Sequence, residues 1–282
     1  MSEPRVTDEI LLEIRDLRTV FDTMDGTVKA VDGVSFTLEK GKTLAIVGES
    51  GSGKSVTSQA IMGLHNRKTT VMSGEVLLDG QDLIAMSDED VRKLRGRQMA
   101  MIFQDPLSSL NPVYRVGDQV VEMIRSHQDL SKEAAWSKAV DLLELVGIPQ
   151  PKDRASQYPH EFSGGMRQRV MIAMAIANDP KVLIADEPTT ALDVTVQAQI
   201  LELIQKIQNE MRAAVVLIVY DGLNHAEAAR VLRPGAPFAI FDVLKGPTEG
   251  MLYPTPWAAS AETSHLVTVA EMRKLLDDAG FE

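Results

Sequence analysis

The apolar positions of residues 10–47 fall into strand-like runs separated by turn signals. In chain order, the runs and turns are residues 10–14, Asp25-Gly26, residues 31–38, Lys40-Gly41 and residues 43–47. Short apolar runs bounded by Gly and Asp are typical of strands joined by tight connections. The sequence therefore predicts an antiparallel β layer that leads into the segment after residue 47.

The spacing of apolar residues changes to a helical period at residues 116–147, and Gly147 followed by Pro149 ends that segment. Further helices are predicted at residues 87–95, 167–177 and 194–211. Further strands are predicted at residues 73–80, 99–103, 181–187 and 213–219. The pattern thus indicates a helical subdomain, at about residues 106–178, inserted between strands of a sheet.

The segment between the strand at 43–47 and the next helix is rich in glycine. Residues 48–55 fit the pattern G-x-x-x-x-G-K-[ST] of a phosphate-binding loop. Glycine lets the backbone fold round phosphates with its N–H groups pointing inward, and the helix N-terminus adds positive potential. We expect Lys54 to reach the β- and γ-phosphates and Ser55 to ligate magnesium. The alternative, a plain Gly/Ser-rich loop, is disfavoured by the strand and helix on either side.

Composition restricts the function classes. The chain has 40 acidic and 29 basic residues and a net charge of −11, which disfavours nucleic acid as a partner because phosphate contacts need clustered Lys and Arg. The lack of cysteine excludes disulfides and thiolate chemistry and suits a reducing compartment. The sequence shows no secretory signal and no apolar run of about 20 residues. Membrane association is therefore expected only through a partner.

Four further motifs accompany the phosphate loop, and together they resemble the ATP-binding subunit of ABC transporters over about residues 10–218. Residues 182–187 match the Walker B strand and residues 162–169 match the signature motif. Gln104 matches the Q-loop and residues 191–193 match the D-loop. The segment Phe103-Gln-Asp-Pro and the Phe-Ser-Gly-Gly-Met form of the signature resemble the branch that imports dipeptides, oligopeptides or nickel.

The resemblance implies an α/β fold in which a P-loop NTPase sheet carries an antiparallel β flank and a helical subdomain, followed by a short α/β C-terminal tail. The ATP-binding domain is expected at residues 1–221, with the helical subdomain at about 106–178. Residues 222–282 form the tail.

The resemblance also implies roles for single residues. Glu187 would accept a proton from the water that attacks the γ-phosphate, and Asp186 would hold magnesium; two adjacent carboxylates would otherwise repel each other. The expected catalytic residues are Glu187, Gln104 and Lys54. The expected metal ligands are Ser55, Gln104 and Asp186. The expected ATP-binding residues are Phe21, Gly48, Glu49, Ser50, Gly51, Ser52, Gly53, Lys54, Ser55 and Val56, with Ser163, Gly164 and Gly165 serving the site of a second subunit.

Two aromatic positions leave alternatives open. Phe21 either stacks on adenine or packs in the core. Tyr220 stands where the importer branch has a histidine that contacts the γ-phosphate, and a neutral phenol does not replace a protonatable ring. His225 could take over that role, although an exposed helix histidine is the commoner case. We therefore expect ATP binding to be kept and hydrolysis to be weakened.

Residues 222–282 resemble a different family. An Arg-Val-Leu-Arg-Pro-Gly turn ending at Gly235, a strand at 238–243 and a helix ending in Ala-Gly-Phe resemble the C-terminal part of S-adenosylmethionine-dependent methyltransferases. No second Gly-rich strand-to-helix turn is present to hold that cofactor. A fusion between residues 217 and 224 is the favoured interpretation, and a divergent native ending is the alternative.

Three function hypotheses follow. The first is an ATPase that powers a peptide or nickel importer, with ATP and Mg²⁺ as cofactors. Its partners would be transmembrane permease subunits, a second ATP-binding subunit (homo- or heterodimer) and, indirectly, an extracytoplasmic substrate-binding protein. It would lie at the cytoplasmic face of the inner or cell membrane. The second is a chimeric or degenerate subunit that binds ATP but hydrolyses it poorly. The third, a methyltransferase, is disfavoured by the missing cofactor loop.

Overall fold

The computed structural model describes residues 9–23, 26–48, 51–189, 192–220 and 238–240, whose strands form two sheets. The strands are β1 (Ile10–Thr23), β2 (Gly26–Glu39), β3 (Thr43–Gly48), β4 (Thr70–Leu78), β5 (Gln81–Asp82), β6 (Met99–Ile102), β7 (Val182–Asp186), β8 (Ala214–Tyr220) and β9 (Phe238–Ile240). The helices are α1 (Lys54–Ile61), α2 (Asp88–Leu94), α3 (Pro106–Ser109), α4 (Val116–Arg125), α5 (Lys132–Leu145), α6 (Pro151–Arg154), α7 (Gly164–Ala175) and α8 (Val194–Met211). The predicted α/β fold is confirmed.

The antiparallel sheet has the strand order β2-β1-β4-β5. In the first half of β1, Leu12, Ile14 and Leu17 are buried, whereas Arg15 and Asp16 are exposed. This near-alternation gives the sheet one apolar face, which packs against the rest of the protein. Near the end of β1, Phe21 lies opposite Val28 of β2 and Thr70 of β4.

The second sheet is parallel, with the order β6-β7-β8-β3-β9. Strand β7 is buried along its whole length and β3 along all but its first residue, as expected for parallel strands covered on both faces. The carboxyl ends of parallel strands meet at one edge of the sheet, which is where ligands bind in open α/β sheets. The carboxyl ends of β3, β6, β7 and β8 therefore lie at the same edge of the sheet.

The helices from α3 to α7 lie between β6 and β7 in the chain, as the sequence predicts. Their apolar faces form one core with part of the parallel sheet, with Val120, Ala139 and Ile172 fully buried. The segment with the predicted helical period, residues 116–147, forms two helices, and the second begins where the Ser131 side chain accepts a hydrogen bond from Ala134 N. A side-chain cap of this kind starts a new helix.

Strand β9 is the described part of the segment after residue 220. It pairs in parallel with β3, with Ala45 opposite Phe238 and Val47 opposite Ile240. The strand predicted at residues 238–243 is thus confirmed for its first three residues. His225 and the predicted tail helices lie outside the described residues. Within the described ranges, no helix is both long enough and apolar enough to cross a bilayer.

Candidate functional site

The glycine-rich loop connects β3 to α1. Gly51 and Gly53 have φ angles of +83° and +95°. A Cβ atom at Gly53 would lie 2.5 Å from the carbonyl oxygen of Ala30, whereas one at Gly51 would meet nothing within 4 Å. Glycine at position 53 is therefore required both by backbone conformation and by the close approach of β2. Glu49 and Ser50 lie outside the described residues.

Lys54 opens α1 and is only 3% exposed. Its Nζ donates a hydrogen bond to the carbonyl oxygen of Gly48 over 2.6 Å and lies 3.9 Å from Glu187 Oε1. A buried ammonium needs such partners, because burial without them is costly. The loop thus curls round the lysine, whose charge lies between the end of β3 and the end of β7.

Ser52 and Val56 flank the central part of the motif. Ser52 Oγ is buried and has no hydrogen-bond partner among the described residues. An unpartnered buried hydroxyl within a phosphate-binding loop fits a phosphate oxygen as its missing partner. Val56 lies in the first turn of α1, and its carbonyl oxygen is 2.9 Å from His65 Nε2.

Asp186, the last residue of β7, is bound to the face of α1 by two serines. Ser55 Oγ donates to its Oδ1 over 3.2 Å, and Ser58 Oγ donates to its Oδ2 over 3.3 Å. Burial raises the pKa of Asp186; the hydrogen bonds from Ser55 and Ser58 counteract this, Glu187 raises the pKa further and Lys54 lowers it. The carboxylate is therefore under-compensated, and a cation would stabilise it.

The arrangement fits magnesium, which prefers oxygen ligands and commonly takes one or two carboxylates together with substrate phosphates. Ser55 and Asp186 supply adjacent oxygens. In the described part of the chain, no group of three or more His, Cys, Asp or Glu side chains could hold a metal ion. Phosphate oxygens and water would thus have to complete the coordination. Ser58 is a contributor that the sequence analysis missed, although it follows Ser55 by one helical turn on the same face.

Glu187 is the first residue after β7 and is held at an unusual backbone angle. Its φ is +45°, and its N–H donates to the Ile218 carbonyl oxygen over 3.0 Å. Gln104 Nε2 donates to Glu187 Oε2 over 2.8 Å. A left-handed conformation in a non-glycine residue costs about 1–2 kcal/mol. The surrounding contacts hold the carboxylate between Lys54 and Gln104, which brings the three predicted catalytic residues together.

The signature residues form a surface turn at the start of α7. Ser163 is the N-cap of α7, and its Oγ accepts a hydrogen bond from Met166 N over 3.3 Å. Ser163 and Gly164 are exposed, and Gly165 packs so closely that an added Cβ would lie 2.9 Å from Val196 Cγ1 of α8. This places the signature turn against the start of α8, with its N-terminal end open to solvent.

Phe21 is half-buried and contacts His65 edge to face. The ring centroids are 5.3 Å apart and the rings are inclined by 79°. Because His65 also reaches Val56, the aromatic residue of β1 is connected to the helix that carries Lys54 and Ser55. His65 could not be predicted as part of the site from the sequence, since it belongs to none of the motifs.

Tyr220 is the last residue of β8 and lies opposite Gly48 in the parallel sheet. The backbone at position 220 thus ends level with the start of the phosphate-binding loop. Nothing is described of its side chain. In the D-loop, Ala191 lies outside the described residues, whereas Asp193 caps α8 by accepting from Val196 N over 3.0 Å.

Known proteins resemble this chain in sequence. The oligopeptide transport ATP-binding protein OppD of Bacillus subtilis (strain 168) is 57% identical over 212 residues, which are 75% of this chain and 59% of that protein. The dipeptide transport ATP-binding protein DppD of the same organism is 54% identical over 216 residues, which are 76% of this chain and 64% of DppD. This chain therefore spans less than two thirds of the length of these relatives.

A relative from Brucella abortus (strain 2308) is 47% identical over 256 residues, which are 87% of this chain and 77% of that protein. Residues 1–221 alone make up less than 87% of the 282 residues of this chain. The matched part of the chain must therefore extend beyond residue 221 into the C-terminal segment.

Solved structures resemble the chain in fold. The dimer of the ATP-binding cassette MJ0796 bound to ADP and Pi has a TM-score of 0.70 at 25% identity and covers 83% of this chain and 97% of MJ0796. Clostridium perfringens cbiO1, part of the transporter complex cbiONQ, has a TM-score of 0.64 at 26% identity and covers 79% of this chain and 82% of cbiO1. The family model described as ABC transporter matches residues 31–190, more than half of the chain, and the chain belongs to this family.

Proposed function

We propose that the chain is the ATP-binding and ATP-hydrolysing subunit that powers an importer of peptides, with nickel as the alternative solute. The main support for this proposal is a group of residues joined by hydrogen bonds and an ion pair at the carboxyl edge of the parallel sheet, namely Lys54, Ser55, Asp186, Glu187 and Gln104. The names of OppD and DppD, which describe oligopeptide and dipeptide transport, support the choice of solute.

Lys54 and the loop N–H groups would bind the β- and γ-phosphates of ATP, and Ser55 and Asp186 would hold Mg²⁺. The bound metal would supply charge neutralisation at the transferred phosphoryl group. Glu187 would accept a proton from the attacking water. Gln104 donates a hydrogen bond that orients the Glu187 carboxylate. Through this contact Gln104 would sense the γ-phosphate and couple the site to the membrane subunit.

The exposed signature turn supports a second subunit. Ser163, Gly164 and Gly165 present a helix N-terminus to solvent, and such an end attracts anions. We propose that this turn binds the γ-phosphate held by a second ATP-binding subunit, in a homo- or heterodimer. The dimeric state of MJ0796 supports this arrangement.

The segment that contains Gln104, residues 103–114, supports contact with a permease. Phe103, Leu107, Val113 and Tyr114 are 40%, 61%, 72% and 59% exposed. Large exposed apolar side chains close to an active site are typical of interaction surfaces. We propose that transmembrane permease subunits bind here and hold the chain at the cytoplasmic face of the membrane, with a substrate-binding protein acting from the other side.

Hydrolysis is the step for which Tyr220 matters. The second candidate function, ATP binding with slow turnover, is favoured by tyrosine at the position where the resemblance expects histidine. The test is ATP turnover and ATP binding by the unmodified chain, Tyr220→His and Glu187→Gln. We expect Tyr220→His to turn over faster and Glu187→Gln to bind ATP without turnover. Equal, robust rates in the unmodified chain and Tyr220→His would exclude the second candidate, and turnover by Glu187→Gln would exclude Glu187 as the base.

We also propose that residues 1–221 form the ATP-binding domain and that residues 222–282 are a methyltransferase-like segment without a cofactor loop. A native ending is the alternative, and the extent of the Brucella match supports it. On either origin the tail should not bind S-adenosylmethionine, and calorimetry tests this directly. Binding of that cofactor would overturn the rejection of a methyltransferase function.

A further inference from the structure

His65 joins two parts of the nucleotide site that are far apart in sequence. Its ring contacts Phe21 of β1, and its Nε2 lies 2.9 Å from the carbonyl oxygen of Val56 in α1. Neither contact belongs to any motif of the sequence. Together they form a bridge from the antiparallel sheet to the helix that follows the phosphate-binding loop.

The hydrogen bond fixes the orientation of the imidazole. A carbonyl oxygen can only accept, so Nε2 carries the proton and donates to Val56 O. His65 follows the end of α1, where Leu64 N donates to Gln59 O over 2.9 Å and Gly63 adopts a φ of +62°. This turn sends the chain back along α1, which is how a residue beyond the end of the helix reaches its first turn.

The imidazole in turn restricts the ring of Phe21. Phe21 is half-buried between Val28 and Thr70, and Val28 is 51% exposed, so the strand alone leaves this aromatic near the solvent edge. The edge-to-face contact with His65 selects one ring orientation. Val56 directly follows Ser55, so the same helical turn sets the position of both the phosphate-binding residues and the aromatic pair.

We propose that His65 is a positioning residue for the base of the bound nucleoside triphosphate. It holds the Phe21 ring at a fixed distance from the phosphate-binding loop, so that the base stacks on Phe21 while the phosphates lie in the loop. The inference rests on the proposed nucleotide-binding function. Stacking on an aromatic ring is open to any base, so the gain is in affinity for the nucleoside part rather than in discrimination between bases.

The test compares two ligands, MgATP and magnesium tripolyphosphate, by calorimetry. His65→Ala should weaken MgATP binding about 3- to 10-fold, the range expected for the loss of one aromatic contact, and should leave tripolyphosphate binding unchanged. His65→Gln keeps a donor for Val56 O but lacks the ring, and should behave like His65→Ala. The matched control is His160→Ala, which removes a histidine stacked on Tyr158 and should change neither affinity.

Phe21→Ala should weaken MgATP binding, and His65→Ala in that background should have no further effect. Equal weakening of both ligands by His65→Ala and His65→Gln would overturn the proposal, because His65 would then only stabilise α1. Unchanged MgATP binding in His65→Ala would overturn it as well. If Phe21→Ala changes neither ligand, base stacking on Phe21 is wrong while the phosphate site stands; if the unmodified chain binds neither ligand, the proposed function itself fails.

Discussion

Gly53→Ala is expected to destabilise the protein much more than Gly51→Ala, although both residues lie in the same loop with positive φ angles. The conformational penalty for alanine at a φ near +90° is about 1–3 kcal/mol and applies to both positions. Only at Gly53 would the new Cβ also lie 2.5 Å from a backbone atom, the carbonyl oxygen of Ala30. Forcing β2 and the loop apart adds about 1–3 kcal/mol. We expect a total of about 2–6 kcal/mol for Gly53→Ala.

The assay is urea unfolding of the nucleotide-free protein, which separates stability from ligand binding. Gly51→Ala is the matched control, because nothing lies within 4 Å of its added Cβ. The difference between the two variants measures the contact with Ala30. Equal free energies of unfolding would refute the reasoning, since the close approach of β2 to the loop would then carry no energetic weight. Gly53→Ala should also weaken MgATP binding, because Lys54 directly follows the displaced residue.

Three further changes test other parts of the structure. Asp186→Asn should raise the melting temperature of the nucleotide-free protein and abolish Mg²⁺-dependent ATP affinity. Burial raises the native pKa of Asp186, so the native state holds this proton to higher pH than the unfolded state does. The stability of the unmodified chain should therefore fall as the pH rises from the unfolded pKa through the native pKa of Asp186, and the variant should not show this fall. Gln119→Ala should lower the free energy of unfolding in urea by about 1–3 kcal/mol. The buried Gln119 side chain accepts a hydrogen bond from Asn111 N over 2.8 Å and donates to Asn111 O and Tyr114 O. Equal stability of the variant and the unmodified chain would show that these three hydrogen bonds are not needed. A chain ending at residue 221 loses β9, and light scattering should show that it aggregates more than the full chain because the edge of β3 is uncovered.

The buried strands and the long helix were the elements most accessible to sequence reasoning. The predicted strands at 181–187 and 213–219 differ from β7 and β8 by one residue at each end, because continuous burial leaves a continuous apolar run. Helix α8 has the predicted bounds, since Asp193 supplies a cap at its start. The strands β1 and β2 extend well past their apolar runs. The residues of β1 and β2 beyond these runs are mostly exposed or half-buried and are held by pairing between the two strands, which composition does not record.

The site residues that belong to a chemical motif could be predicted from the sequence. The residues whose role depends only on their packing in the fold could not. Lys54, Ser55 and Asp186 occupy the fixed positions of motifs expected to bind phosphate and a cation. In the structure Ser55 is hydrogen-bonded to Asp186, and Lys54 lies 3.9 Å from Glu187, the residue after Asp186. Ser58 and His65 act through three-dimensional contacts with Asp186 and Phe21. A serine within a helix and a histidine just beyond its end are common, so only the fold distinguishes these two from surface polar residues.

The pairing of β9 with β3 changes what the C-terminal segment means for the site. An apolar run at 238–243 predicts a strand, but its partner could not be predicted, because parallel pairing depends on how the chain crosses over the sheet. In the structure β9 lies on the side of β3 opposite β8, so the strand that leads into the phosphate-binding loop has a neighbour on both sides. Ile240 is opposite Val47, one residue before the loop begins. Whatever the origin of residues 222–282, residues 238–240 therefore support the strand from which Lys54 and Ser55 are positioned, and changes in β9 should reach nucleotide binding through β3.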